Sequence, residues 1–183
     1  RYRDIVEVAA SRRVANRVIQ AARHGWVPDV VVERHSLFSD AGWRVNDAIN
    51  VPWVLEVNAP PLLERSRYEM IRRPAFAKRW EYKVLHQAPA VVAVSRWLKD
   101  WLETEVGCRN VHWIPNGVTP LRGNRVRGRS ILGVDEEARV IGFVGSMNPW
   151  HGVDSLRAIA TGAEAHLALI GQGTGGPDGA IRT

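Results

Sequence analysis

Apolar positions along the 183-residue chain change period several times, and each change marks an element. Over residues 4–24, Ile5, Val8, Ala9, Val14, Val18, Ile19 and Ala22 recur at three- and four-residue spacing, which predicts a helix stopped by Gly25. Beyond Pro28-Asp29 the run Val30-Val31-Val32 is continuous and β-branched, as in a buried strand, and it closes on Glu33-Arg34-His35. A helix over about residues 38–49 and a strand over 53–57 follow, the strand terminated by Asn58-Ala59-Pro60-Pro61. A long basic helical stretch occupies 62–87, interrupted at Pro74. Residues 90–94 read as another buried strand, Ser95 as the N-cap of a helix over 96–106, and 111–114 as a strand ending in the turn Pro115-Asn116-Gly117. Strands alternating with helices at these lengths predict a parallel sheet covered by helices on both faces.

From Val118 to about Arg129, Pro, Gly, Asn and Arg replace the apolar period, which reads as a linker. A second α/β pattern comes after it, with strands at 139–144 and 166–170 and a helix at about 153–160. The expected organisation is therefore a domain over 1–118, a linker over 119–138 and the start of a second domain over 139–183. In that second pattern a β-branched run enters a Gly-x-x-Gly turn at 142–145, ahead of a helix start. Such a turn brings bare backbone N–H groups up to a phosphate.

Composition narrows the class. Hydrophobic residues make up 45% and there are eight Trp, the reverse of a disordered chain. The net charge of +6 rests on Arg, with Lys only at 78, 83 and 99, and favours nucleotide phosphates, a phospholipid surface or nucleic acid as partners. An Arg-rich genome explains the same bias. A nucleic-acid-binding role lacks any recognised motif, and the charge is spread along the chain rather than gathered in a block. The single Cys108 excludes an intrachain disulfide and a Cys-based metal site, and is compatible with a reducing cytoplasm. No apolar run approaches the ~20 residues that span a bilayer. Both ends look cut, so a fragment of a longer protein is expected.

Five stretches together resemble a known family: Pro28–Phe38, Pro52–Pro60, the segment from Ala90 to Leu102, Ile114–Val118, and Gly142–Asp154. In this order they are similar to family-4 retaining glycosyltransferases of the GT-B architecture. The resemblance implies a Rossmann-like N-terminal domain lacking its first strand, plus the start of a second Rossmann-like domain. The acceptor would bind the first domain and a nucleotide-diphosphate sugar the second, with no metal and no cofactor. The implied product is cell-surface polysaccharide or glycolipid, made by a cytoplasmic protein at or near the inner face of the membrane. The family's first strand would precede Arg1 and its paired glutamates would follow Thr183. The 183 residues alone are therefore expected to be inactive and incompletely packed in the second domain.

Mapped onto this chain, the resemblance puts the donor diphosphate at Gly145 and Ser146, with the hinge element Asn116-Gly117 bordering the donor. Many relatives carry Arg and Lys where this chain has Ser146 and His151, so His151 becomes the candidate for leaving-group contact. Asn58 stands where several relatives place a catalytic His; an amide binds sugar hydroxyls but shuttles no proton at neutral pH. Glu33, Arg34 and His35 end a strand and are candidates for the acceptor side, with a solvated loop as the plainer reading. Gly171 and Gly173 begin a glycine-rich turn near the donor base. That turn also matches G-x-G-x-x-G, which leaves an NAD(P)-dependent oxidoreductase as the alternative. The basic, aromatic-interleaved stretch 65–83 is a candidate for peripheral membrane contact with a lipid-linked acceptor, against a solvated basic face.

Overall fold

The computed structural model describes residues 3–148, 151–172 and 181–182, and the chain divides into two compact units, Arg1–Gly117 and Val118–Thr183. The first unit runs α1 (Arg3–Arg23), β1 (Val31–Arg34), α2 (Ala41–Ile49), β2 (Trp53–Val57), α3 (Pro61–Tyr68), α4 (Pro74–Gln87), β3 (Ala90–Ala93), α5 (Arg96–Trp101) and β4 (Val111–Trp113). Its four strands pair in chain order, β1-β2-β3-β4, and every pair is parallel. This is the Rossmann-like α/β architecture that alternating strands and helices predict. All strands run the same way, so their C-terminal ends, and the loops that leave them, gather along one edge of the sheet.

β2 lies at the centre of this sheet. Trp53, Leu55 and Val57 are buried, while Val54 and Glu56 between them are half-buried. Val84 and Leu85 of α4 and Leu98 of α5 pack into the same core, along with Val91, Ala93, Leu102, Val106 and Val111. Burying a side chain of this size contributes roughly 1.5–3 kcal/mol. Ser95 caps α5 as expected, its Oγ accepting from the Leu98 N–H at 3.2 Å.

Cys108 belongs to this core, 7% exposed, and burial pushes its thiol up to about 11. A raised pKa stabilises the fold fully below the ordinary thiol range and loses that contribution as pH climbs through about 11. Native protein should therefore react with iodoacetamide at pH 8 on the order of a hundredfold more slowly than protein in urea. Equal rates, read by mass spectrometry, would refute the sealed thiol.

Several boundaries differ from the periodicity. α2 begins at Ala41, not near residue 38, because Phe38 takes a left-handed φ of 69° and turns the chain before the helix. The helix after Ser95 changes to π-helical winding over Leu102–Val106 and stops at Gly107. The stretch 119–138, expected as linker, holds helix α6 (Arg125–Leu132). Asn124 Oδ1 caps α6 by accepting from the Arg127 N–H at 2.9 Å, and Gly133 closes it with φ 66°. α6 buries no residue, so it has no apolar stripe to give it a period.

The second unit continues with β5 (Val140–Val144), a 3₁₀ turn over Val153–Ser155, α7 (Leu156–Gly162), β6 (His166–Ile170) and β7 (Ile181–Arg182). β6 pairs in parallel with both β5 and β7. Met147, Val153, Ala160, Leu167 and Leu169 form its buried core. Gly142 is a residue of β5 opposite Ala168, so the turn does not begin there. It begins at Gly145.

Candidate functional site

At the C-terminal ends of β1 and β2 the first unit encloses a cavity of about 860 Å³ against α1 and α3. Glu33, Arg34, His35 and Asn58 all line it, so the first unit's candidates from two strands meet in one place. Their roles diverge. The Glu33 carboxylate accepts from the Gly42 N–H at 2.8 Å and from the Ser39 hydroxyl, so it caps the start of α2. Arg34 is exposed and makes no ion pair among the described residues. His35 is buried, its Nε2 3.8 Å from Glu81 Oε1, and neither ring nitrogen has a hydrogen-bond partner among the described residues. Glu81, buried on α4, also accepts from the Leu62 N–H at 3.1 Å, which ties the start of α3 to the end of β1.

The loop between β1 and α2 is held by a polar network that residue-by-residue reading misses. Buried Asp40 accepts from Ser11 Oγ of α1 at 2.9 Å and from Arg44 Nε at 2.8 Å, while its own N–H donates to Ser11 Oγ. Phe38 is fixed in its left-handed conformation by burial and by stacking on Phe76, with ring centroids 6.0 Å apart. A bulky residue at positive φ persists only where its surroundings over-determine it.

Ion pairs hold α1 against α3. Arg65 forks onto Glu7 at 2.9 and 3.0 Å, and Arg3 reaches Glu69 at 2.6 Å. The hydrogen bond from Arg3 holds the Glu69 carboxyl below the usual carboxylate range, and Arg73 does the same to Asp4. Stretch 65–83 thus spans parts of two helices and a connecting loop, and part of its charge is paired with Glu7 and Asp4 of α1.

Asn58 follows β2, and its Nδ2 donates to Glu56 Oε1 at 2.6 Å. Asn116 Nδ2 donates to Asn58 Oδ1 at 3.5 Å, so the loop carrying Asn116 and Gly117 folds back to the end of β2. Two side-chain amides thereby stand together at the strand ends. Such a pair offers both donors and acceptors to hydroxyl-bearing ligands.

In the second unit the strand ends are laced through the backbone. The Gly145 N–H donates to Ile170 O at 2.9 Å and the Met147 N–H to Gln172 O at 3.0 Å. Gly145 and Gly171 take φ of 151° and 146°. A Cβ on Gly171 would stand 2.8 Å from the Gly145 carbonyl carbon and closer still to its oxygen. That close approach explains glycine at 171 without a dinucleotide; Gly173 lies outside the described residues. Ser146 is exposed, and its Oγ accepts from Asn148 Nδ2 at 2.8 Å. The His151 ring sits 5.9 Å from the Phe143 ring, with Nδ1 2.5 Å from Ser146 O. A carbonyl only accepts, so Nδ1 carries the proton.

α7 is short and is preceded by a 3₁₀ turn, so any anion contact rests on the loop more than on a helix terminus. Among the described residues no cluster of three or more His, Cys, Asp or Glu is placed to hold a metal ion. None of the described helices is long and apolar enough to cross a membrane.

Comparison with known proteins agrees with this arrangement for the first unit. No curated protein matches the chain. The sequence model of Glycosyltransferase Family 4 matches residues 4–122, well over half of the 183. That span covers the four-stranded parallel sheet, the cavity at its C-terminal edge and the paired amides Asn58 and Asn116. The chain belongs to glycosyltransferase family 4, whose members transfer sugars.

Proposed function

We propose that this chain contributes to a retaining GT-B enzyme that moves a sugar from a nucleotide-diphosphate donor to a glycan or lipid-linked acceptor in cell-surface polysaccharide or glycolipid synthesis. The observation that carries the donor half is the laced loop after β5. Lacing to β6 holds the loop in place before any ligand arrives, so its donors need no reorganisation as charge develops. Asn148 already occupies a lone pair of the Ser146 hydroxyl, which leaves the hydroxyl hydrogen to donate to a phosphate oxygen. The imidazole of His151 is oriented by its bond to Ser146 O and is assigned the contact with the leaving diphosphate. Ser146 and His151 thus share the task that two fixed cations perform in many relatives.

On the first unit, Asn58 and Asn116 hold sugar hydroxyls, and the cavity beside them receives the acceptor. Arg34 is an exposed cation at its rim with no ion pair among the described residues. Glu33 supports the wall through α2.

The test is nucleotide release from UDP- and GDP-sugars by the full-length protein, with glycan and lipid-linked acceptors. Release that depends on one donor is expected, and His151→Ala should lower kcat by about 10²-fold, the usual cost of one leaving-group donor. Acceptor KM should stay within about twofold, because the lost contact is made in the transition state. Absence of release with every donor would overturn the reading.

A further inference from the structure

A second cavity, of about 730 Å³, lies between α1 and α4 and has no part in the sugar-transfer reading. α1 presents to it an apolar first stretch, Ile5 and Val8, and then a basic one, Arg12, Arg13 and Arg17. Ile5, Val8 and Arg12 follow one another at three- and four-residue spacing, and Arg13 and Arg17 stand four apart beside them. α4 supplies Phe76 and Trp80, whose rings pack at 5.7 Å. One end is closed by Arg73, which donates to Asp4 at 3.0 Å and lies 5.2 Å over the Phe76 ring.

The charge balance of this lining points to a ligand. Asp4, the acidic residue of its lining, is already bonded to Arg73, and Arg12, Arg13 and Arg17 make no ion pair among the described residues. Guanidinium forks on successive turns of one helix match a tetrahedral, multiply charged anion better than a planar, singly charged one.

We propose that the α1–α4 cavity binds a phosphate ester that carries an apolar group. Arg12, Arg13 and Arg17 hold the phosphate, and the apolar group lies on Ile5, Val8 and Phe76.

Hexyl phosphate is the probe, titrated calorimetrically into the 183-residue chain, with inorganic phosphate and hexanol as comparisons. Saturable one-to-one binding is expected, with both comparisons weaker. The triple variant R12Q/R13Q/R17Q, altered only at exposed positions, should bind at least about tenfold more weakly. No saturable binding, or unchanged affinity in the triple variant with its helical circular dichroism intact, would overturn the proposal. Inorganic phosphate binding as tightly as hexyl phosphate would overturn the apolar contact. Sedimentation with phosphatidylglycerol vesicles that is lost in the triple variant identifies a lipid headgroup as the source. Hexyl phosphate binding without sedimentation identifies a free ester. No sugar donor enters these measurements, so their failure is separate from failure of the transferase reading.

Discussion

Gly171→Ala is expected to lower donor-dependent nucleotide release by about a hundredfold or more, and to destabilise the second unit by roughly 2–4 kcal/mol. The added Cβ meets backbone: the Gly145 carbonyl, whose carbon would lie 2.8 Å away. No rotamer relieves such a clash, so the ends of β5 and β6 must separate. The bonds from the Gly145 N–H to Ile170 O and from the Met147 N–H to Gln172 O would then stretch. Ser146 and His151 ride on that segment and would lose their placement together. The φ of 146° adds strain, since alanine rarely adopts it. Gly142→Ala is the matched control. Its Cβ would meet nothing within 4 Å and would sit in a strand, so stability should change by less than about 1 kcal/mol. Steady-state kinetics and thermal unfolding of both variants decide the matter; equal behaviour would refute the close-approach account.

The second large effect is expected in the first unit. Gly42→Ala should cost about 3 kcal/mol or more, or prevent folding outright. Its Cβ would fall 2.5 Å from Trp53 Cδ1 and 2.6 Å from Glu33 Oε2, in the wedge between α2 and the sheet. Trp53 is 1% exposed and held in the main core, so it has nowhere to move. Displacing Glu33 instead would break its bond to the Gly42 N–H and strip α2 of its cap. Glu33→Gln tests the same contact more gently, with an expected loss of about 1–2 kcal/mol. Urea unfolding followed by fluorescence measures both. A Gly42→Ala midpoint within error of the parent would sink this explanation.

The difference between these two glycines and Gly142 shows where reading the chain succeeds and where it stops. Period alone locates β2 and the helix capped by Ser95, because burial on one face or both leaves a mark on neighbouring residues. Gly142 and Gly171 look alike in the sequence, yet one sits in open space and the other against a carbonyl. Contacts between distant segments leave no periodic trace. Glu81 reads as one more acid of a charged helix, and only folding brings it to His35 and Leu62. Helix α6 was hidden for another reason: without a buried face it had only its caps, Asn124 and Gly133, to announce it. At the site, Asn58 and Asn116 were separate suggestions 58 positions apart, and the fold joins them. Glu33 likewise has a partner that the sequence does not show, the Gly42 N–H at the start of α2.

One consequence of the core concerns how this protein can be watched. The chain has one cysteine, and that thiol is buried and held protonated through the neutral range. A single cysteine placed on the surface, for example Ser146→Cys or Val118→Cys, would therefore be the one thiol a maleimide reaches in the native state. Fluorescent or spin labels can then be attached at a chosen point without deleting Cys108 and opening a void beside Leu85. Motion of the β5 loop becomes observable in a core left intact.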